Sequence, residues 1–155
     1  MNTKSEQYRT LLKQVEALID IECRWLANYA NACAAIQQTF NHWWCGFYFV
    51  NANNMLELGP FQGPVACTLI AYNKGVCGTA WARQESIVVP DVHLFEGHIA
   101  CSAESNSEIV IPVFENDKVI GVLDIDSRYK NEFDETDREF LEILVSKLAR
   151  IRVKF

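Results

Sequence analysis

Cys67, Cys77 and Cys101 lie in segments punctuated by glycine and proline, with His93 and His98 close by in sequence, and Glu108, Asp124 and Asp126 follow inside runs that are otherwise apolar. A thiolate is a nucleophile, a carboxylic acid held neutral can give up a proton, and a second thiol can resolve an oxidised sulfur. Together these residue types read as thiol redox chemistry.

The acids allow a geometric expectation. Side chains on a strand alternate faces, so Asp124 and Asp126 share a face roughly 7 Å apart while Leu123 and Ile125 occupy the other. If Glu115–Asp117 forms a three-residue hairpin loop, Phe114 pairs with Lys118, and Glu108 falls opposite Asp124 and diagonal to Asp126. Three acids then converge, and like charges at that separation raise one another's pKa, so the cluster tends to keep a proton. The solvated face of an antiparallel sheet produces the same polar alternation. Val110, Pro112 and Val122, which share the acid face, argue against solvent there.

The Gly97–Ser102 segment, rich in small residues, could bring the Cys101 thiol to the surface of a pocket, where a protonated His93 or His98 would lower its pKa and the acids would raise it. Zinc is the other chemistry that cysteines and histidines suggest. Structural zinc sites take close pairs such as C-x-x-C, whereas these cysteines stand ten and twenty-four positions apart. No metal site is therefore expected. Gly75–Thr79 leads into a short helix expected over 78–83, whose first amides could receive a carboxylate or phosphate; a plain turn reads the same way. Trp43, Trp44, Phe47, Tyr48 and Phe49 are core by default, although one indole face could hold a positively polarised sulfur. Cys23, Cys33 and Cys45 fall in helical or strand stripes and read as small buried hydrophobes.

These side chains need elements to hold them. Apolar residues at helical spacing predict one helix over Tyr8–Ile19 and a second over Trp25–Phe40. Strands are expected at Trp43–Val50, Met55–Leu58, Ala66–Tyr72, Ser86–Val89, Glu108–Phe114 and Lys118–Asp126, the last two joined as a hairpin. Thr136 with Glu139 has the pattern of a capping box ahead of a final amphipathic helix. Helices at both ends of consecutive strands imply an α+β fold around an antiparallel sheet.

With 155 residues the chain matches one domain spanning 1–155. Its net charge of −6 disfavours nucleic acid as a partner. The first twenty-one residues interleave Lys4, Arg9 and Lys13 with apolar side chains, unlike a signal peptide or a membrane span, so a cytoplasmic protein with reduced thiols is expected.

Several motifs in one order resemble the free methionine-(R)-sulfoxide reductases, single GAF-domain enzymes: Trp44-Cys-Gly-Phe-Tyr48, Leu58-Gly-Pro-Phe-Gln-Gly63, Gly75-Val-Cys-Gly-Thr79, Pro90-Asp-Val-His93, Gly97-His-Ile-Ala-Cys101, Ser107-Glu-Ile-Val110 and Gly121-Val-Leu-Asp-Ile-Asp-Ser127. The resemblance implies a six-stranded antiparallel sheet flanked by N- and C-terminal helices, in a homodimer. It implies reduction of free L-methionine-(R)-S-oxide, with Cys101 attacking sulfur, Cys67 as the main resolving thiol and Cys77 as an auxiliary one on a mobile loop. Glu108, Asp124 and Asp126 would hold the substrate and protonate its oxygen, with Trp44 and Tyr48 as pocket walls. Thioredoxin would be the external reductant, and no cofactor would be bound. Pro64-Val65 and Trp43 depart from the family pattern at the pocket rim. A noncatalytic GAF module sensing a small molecule, or a thiol redox switch, would share the fold.

Overall fold

The computed structural model describes residues 1–99 and 101–154. Ala100, inside the Gly97–Cys101 motif, and Phe155 lie outside the described residues. Helix α1 (Lys4–Leu18) starts at Thr3, whose side chain accepts from the Glu6 amide while Glu6 accepts from the Thr3 amide. Helix α2 (Trp25–Phe40) buries Tyr29, Ala32, Cys33 and Ile36 along one stripe. Both match the apolar periodicity.

Six strands follow, interrupted by a helix: β1 (Trp44–Val50), β2 (Met55–Gln62), β3 (Leu69–Ala71), helix α3 (Gly75–Arg83), β4 (Ile87–Val89), β5 (Ser107–Glu115) and β6 (Lys118–Ser127). They form one antiparallel sheet in the order β3-β2-β1-β6-β5-β4, the expected six-stranded architecture. Helix α4 (Glu135–Leu148) closes the chain. Its capping box lies two residues before the expected one: Asp134 accepts from the Thr136 and Asp137 amides, and Asp137 accepts from the Asp134 amide. Asp137 is also held by the Tyr8 hydroxyl at 2.7 Å and by Lys4 at 2.6 Å, so contacts with α1 fix the box where local sequence alone offered Thr136.

The hairpin register is corrected as well. Glu115 pairs with Lys118, leaving a two-residue turn in which Asn116 and Asp117 both have positive φ, as a tight hairpin turn demands. A bulge between Val113 and Phe114 then shifts the register by one residue more. Their combined effect puts Glu108 opposite Asp126, and Val110 opposite Asp124, two residues from the expected pairing. Because a slip of two residues preserves side-chain parity, the three acids still share a face.

The two faces of the sheet differ. Cys45, Phe47, Phe49, Ile109, Ile111, Leu123 and Ile125 pack against α1, α2 and α4 in the main core. Trp44, Tyr48, Val110 and Val122 point the other way, joined by Val76, Cys77 and Ala80 of α3. The acids therefore lie beneath a helix, and the solvated-face reading is wrong for Glu108 and Asp124, both buried. Cys33 and Cys45 are buried as expected. Cys23 is exposed in the turn after α1, where its thiol meets Asp20 Oδ2 at 3.4 Å. No helix among the described residues is long and apolar enough to cross a membrane.

Candidate active site

Strands β5, β6 and β1 build the floor. Trp44 faces Asp126 across the β1–β6 ladder, and Gly46 faces Asp124. Gly46 is required: a Cβ there would stand 2.4 Å from the Trp44 ring and 2.5 Å from Phe61 Cβ. Its absence lets the indole fold back along the strand and stack on Phe61, ring centroids 5.4 Å apart. Tyr48, two residues on, stacks at 5.9 Å from Trp44 and extends the aromatic wall.

Helix α3 begins at Gly75, three residues earlier than the sequence suggested, so Cys77 belongs to its first turn and not to a loop. A side chain at Gly78 would meet Ala71 O at 2.5 Å, so glycine is what lets this turn press onto the edge of β3. Cys77 is consequently buried over the acids: its Sγ and one oxygen each from Glu108 and Asp124 lie within 4.8 Å of one another.

Two loops form the rim. The 63–68 segment is anchored by the wall itself, since Trp44 Nε1 donates to Pro64 O at 3.0 Å and the Tyr48 hydroxyl to Cys67 O at 2.9 Å. The segment around Cys101 is anchored by Trp43, whose Nε1 donates to Ser102 Oγ at 3.1 Å while the Arg128 guanidinium lies 3.9 Å over its ring. Arg128 also approaches Glu104 at 3.7 Å. Across the mouth Cys67 and Cys101 are joined as a disulfide, with Cα atoms 5.8 Å apart. Beneath it lies a cavity of about 50 Å³, lined by Trp43, Trp44, Tyr48, Cys77, His98 and the three acids among others. That is room for only a few waters.

Electrostatics follow from enclosure. Burial first, then the neighbouring Asp126 charge, raises Glu108 well above the ordinary carboxylate range. Burial and Glu108 raise Asp124; burial and Asp124 raise Asp126, which a 2.6 Å hydrogen bond from Ser105 Oγ partly offsets. Asp124 Oδ1 has no hydrogen-bond partner among the described residues. Cys77 is likewise pushed up by burial and by the acids, so it stays a thiol. His98 Nε2 lies 3.5 Å from Glu108 Oε2. Burial lowers the imidazole and raises the acid, so it favours the uncharged form of each. His98 thus lies against Glu108, in the pocket that Cys101 also lines. His93 lies outside the pocket, its Nε2 3.2 Å from Asn106 Oδ1.

The expected residues are thus brought together from six places in the chain. Sequence reasoning missed Ser105, Ser102 and Arg128, polar residues with no periodicity or motif to mark them.

Comparison with known proteins agrees with this geometry. The GAF domain family pattern matches residues 29–151. The chain is 50% identical to GAF domain-containing protein A of Dictyostelium discoideum, the match covering 94% of this chain and 92% of that protein. It is 45% identical to a free methionine-R-sulfoxide reductase of Saccharomyces cerevisiae, covering 96% of this chain and 84% of the other. Among solved structures, a free methionine-R-sulfoxide reductase from Neisseria meningitidis in complex with its substrate superposes with a TM-score of 0.92. It is 44% identical, and the superposition covers 97% of this chain and 90% of that one.

Proposed function

Because the chain belongs to the GAF domain family and, within it, to the free methionine-R-sulfoxide reductases, we propose that it reduces free L-methionine-(R)-S-oxide to L-methionine in the pocket beneath the Cys67–Cys101 disulfide. One observation carries the reading: a disulfide spans the mouth of a cavity whose floor is three acids with raised pKa values.

The substrate rests its methyl sulfinyl group against the Trp44 indole and its ammonium against the Asp124 and Asp126 carboxyls. Asp124 Oδ1, which has no other partner among the described residues, accepts one ammonium hydrogen. The carboxylate meets the amides opening α3, a helix whose N-cap, Lys74, contributes no side-chain hydrogen bond. Oxide is a poor leaving group, so Glu108, which burial keeps protonated, gives its proton to the sulfinyl oxygen as the Cys101 thiolate attacks sulfur. The oxygen passes to Cys101 as a sulfenic acid and methionine leaves. Cys67 then attacks the Cys101 sulfur, water departs, and the disulfide seen here is the product. Two thiols are oxidised for each sulfoxide reduced. Cys77 serves in this reading as an auxiliary resolving thiol, slow because it is buried and uncharged.

Thioredoxin is the external reductant in this reading, and the exposure of Cys101 at the rim suits attack by a partner thiolate. No bound cofactor takes part. A single domain, a homodimer and a cytoplasmic location complete the proposal, the homodimer resting on the family resemblance.

The test is turnover of free and peptide-bound methionine sulfoxide, both epimers, with dithiothreitol. Only the free R epimer should be reduced, with two thiols consumed per methionine. Equal turnover by wild type and Cys101→Ser would end the catalytic reading. A small-molecule sensor would consume no thiols, and a redox switch would form its disulfide with peroxide while ignoring the sulfoxide.

A further inference from the structure

The floor of the pocket holds a donor set that the reaction does not fully use. Cys77, Glu108 and Asp124 are 3%, 5% and 7% exposed, and their three donor atoms lie within 4.8 Å of one another. Cys77 stands outside the disulfide. Asp124 Oδ1 is buried without a hydrogen-bond partner among the described residues, an arrangement that is unfavourable unless something else bonds it. We propose that these three side chains form a binding site for a borderline-soft divalent cation, zinc above all, which excludes the substrate while it is bound.

The chemistry selects the ion. One thiolate and two carboxylates match the sulfur and oxygen donors zinc accepts, whereas magnesium and calcium ask for about six or more oxygens. Zinc–sulfur and zinc–oxygen bonds of about 2.3 and 2.0–2.2 Å in a tetrahedron put donor atoms roughly 3.3–3.7 Å apart. Closing the set from its present spacing is a matter of side-chain rotation, because the three residues stand on α3, β5 and β6, which are packed together. The fourth position opens toward the cavity, where a water can bind. His98 Nε2, 3.5 Å from Glu108 Oε2, can reach it too. This ligand set differs from the widely spaced cysteines and histidines whose sequence pattern argued against zinc: it contains one cysteine, and its acids come from neighbouring strands. Because none of its members belongs to the disulfide, the site persists in both redox states of Cys67 and Cys101. It goes beyond the proposed reaction, and only its competition with substrate rests on that reading.

The experiment uses the full chain with the Cys67–Cys101 disulfide intact, which removes those two sulfurs as alternative ligands. Cobalt(II) is titrated in, followed by zinc. One equivalent of cobalt should bind with a thiolate-to-metal charge-transfer absorption in the near ultraviolet, and one equivalent of zinc should abolish it. Cys77→Ser should lose the absorption while Cys23→Ser keeps it. Asp124→Asn, which retains every thiol, should bind zinc at least tenfold more weakly in competition with a chromophoric chelator. Absence of the band in wild type, its persistence in Cys77→Ser, or unchanged zinc affinity in Asp124→Asn would each overturn the site. In the reduced enzyme, zinc should raise the apparent KM for methionine sulfoxide without lowering kcat. An enzyme inactive toward the sulfoxide would leave the cobalt result intact, so the two proposals fail separately.

Discussion

Glu108 stands directly opposite Asp126 in the β5–β6 ladder, and Asp126 receives a 2.6 Å hydrogen bond from Ser105 Oγ. In the proposed reaction that bond divides the work between two acids on one wall. The Ser105 bond favours the charged form of Asp126, while burial and Asp126 itself keep the proton on Glu108. In the proposed reaction Glu108 would be the proton donor, and Asp126 would accept from substrate.

Glu108→Gln should therefore lose about 10²–10⁴-fold in kcat/KM, the usual contribution of general acid catalysis. Asp126→Asn should raise KM more than it lowers kcat. Steady-state kinetics on the free R sulfoxide, with circular dichroism to verify folding, distinguishes the two patterns.

Cys101→Ser should abolish turnover. Cys67→Ser should still release one methionine per chain in a single turnover but leave a sulfenic acid on Cys101 that dimedone captures. Mass spectrometry after one equivalent of sulfoxide checks both; a full yield of disulfide in Cys67→Ser would mean that Cys77 resolves without hindrance.

Acid stability carries the sign of the raised carboxyl pKa values. An acid whose folded pKa exceeds its unfolded value of about 3.9 binds its proton more tightly when folded, so its contribution is complete below that pH and is lost as pH climbs through the raised value. Asp124→Asn, which cannot ionise, should thus gain Tm relative to wild type as pH increases from 5 to 8. The expected gain is about 1.4 kcal/mol for each unit of displacement. Thermal melts at several pH values measure it, and a constant difference would contradict the assignment.

Trp43→Asn removes both the Ser102 hydrogen bond and the ring beneath Arg128. Each contact is worth about 1 kcal/mol, so the Cys101 segment should open roughly thirtyfold more readily. Stopped-flow reduction of the disulfide by a small dithiol should quicken by a comparable factor, with little change in overall stability.

Gly46→Ala puts a methyl group into the Trp44 ring. The strained wall should cost about 1–3 kcal/mol, read as a lower denaturation midpoint, and should weaken substrate binding as the indole is displaced.

The sequence made much of this site legible because strand periodicity is robust: the three acids share a face in either register, and the wrong pairing cost only their order. That order depended on Asn116 and Asp117 both adopting positive φ and on one bulge, neither of which follows from an apolar pattern. Helix α3 was misjudged because Gly75 and Gly78 look like turn residues, whereas Gly78 serves a close approach to Ala71. The Thr136 box lost to Asp134 through long-range contacts from Tyr8 and Lys4 to Asp137. The anchors Ser102, Ser105 and Arg128 stayed invisible, since a serine or arginine in a loop carries no signal until its partner is in place.

The Cys67–Cys101 bond joins residues 34 positions apart and so ties β3, α3 and β4 into a covalent ring. Restricting the unfolded chain by a ring of that size stabilises the folded one by about 4 kcal/mol in the chain-entropy account. Each catalytic cycle would then alternate between a sturdy species and a more fragile one. Molecules starved of electrons, halted after their last turnover, would wait in the form that best withstands heat and proteolysis.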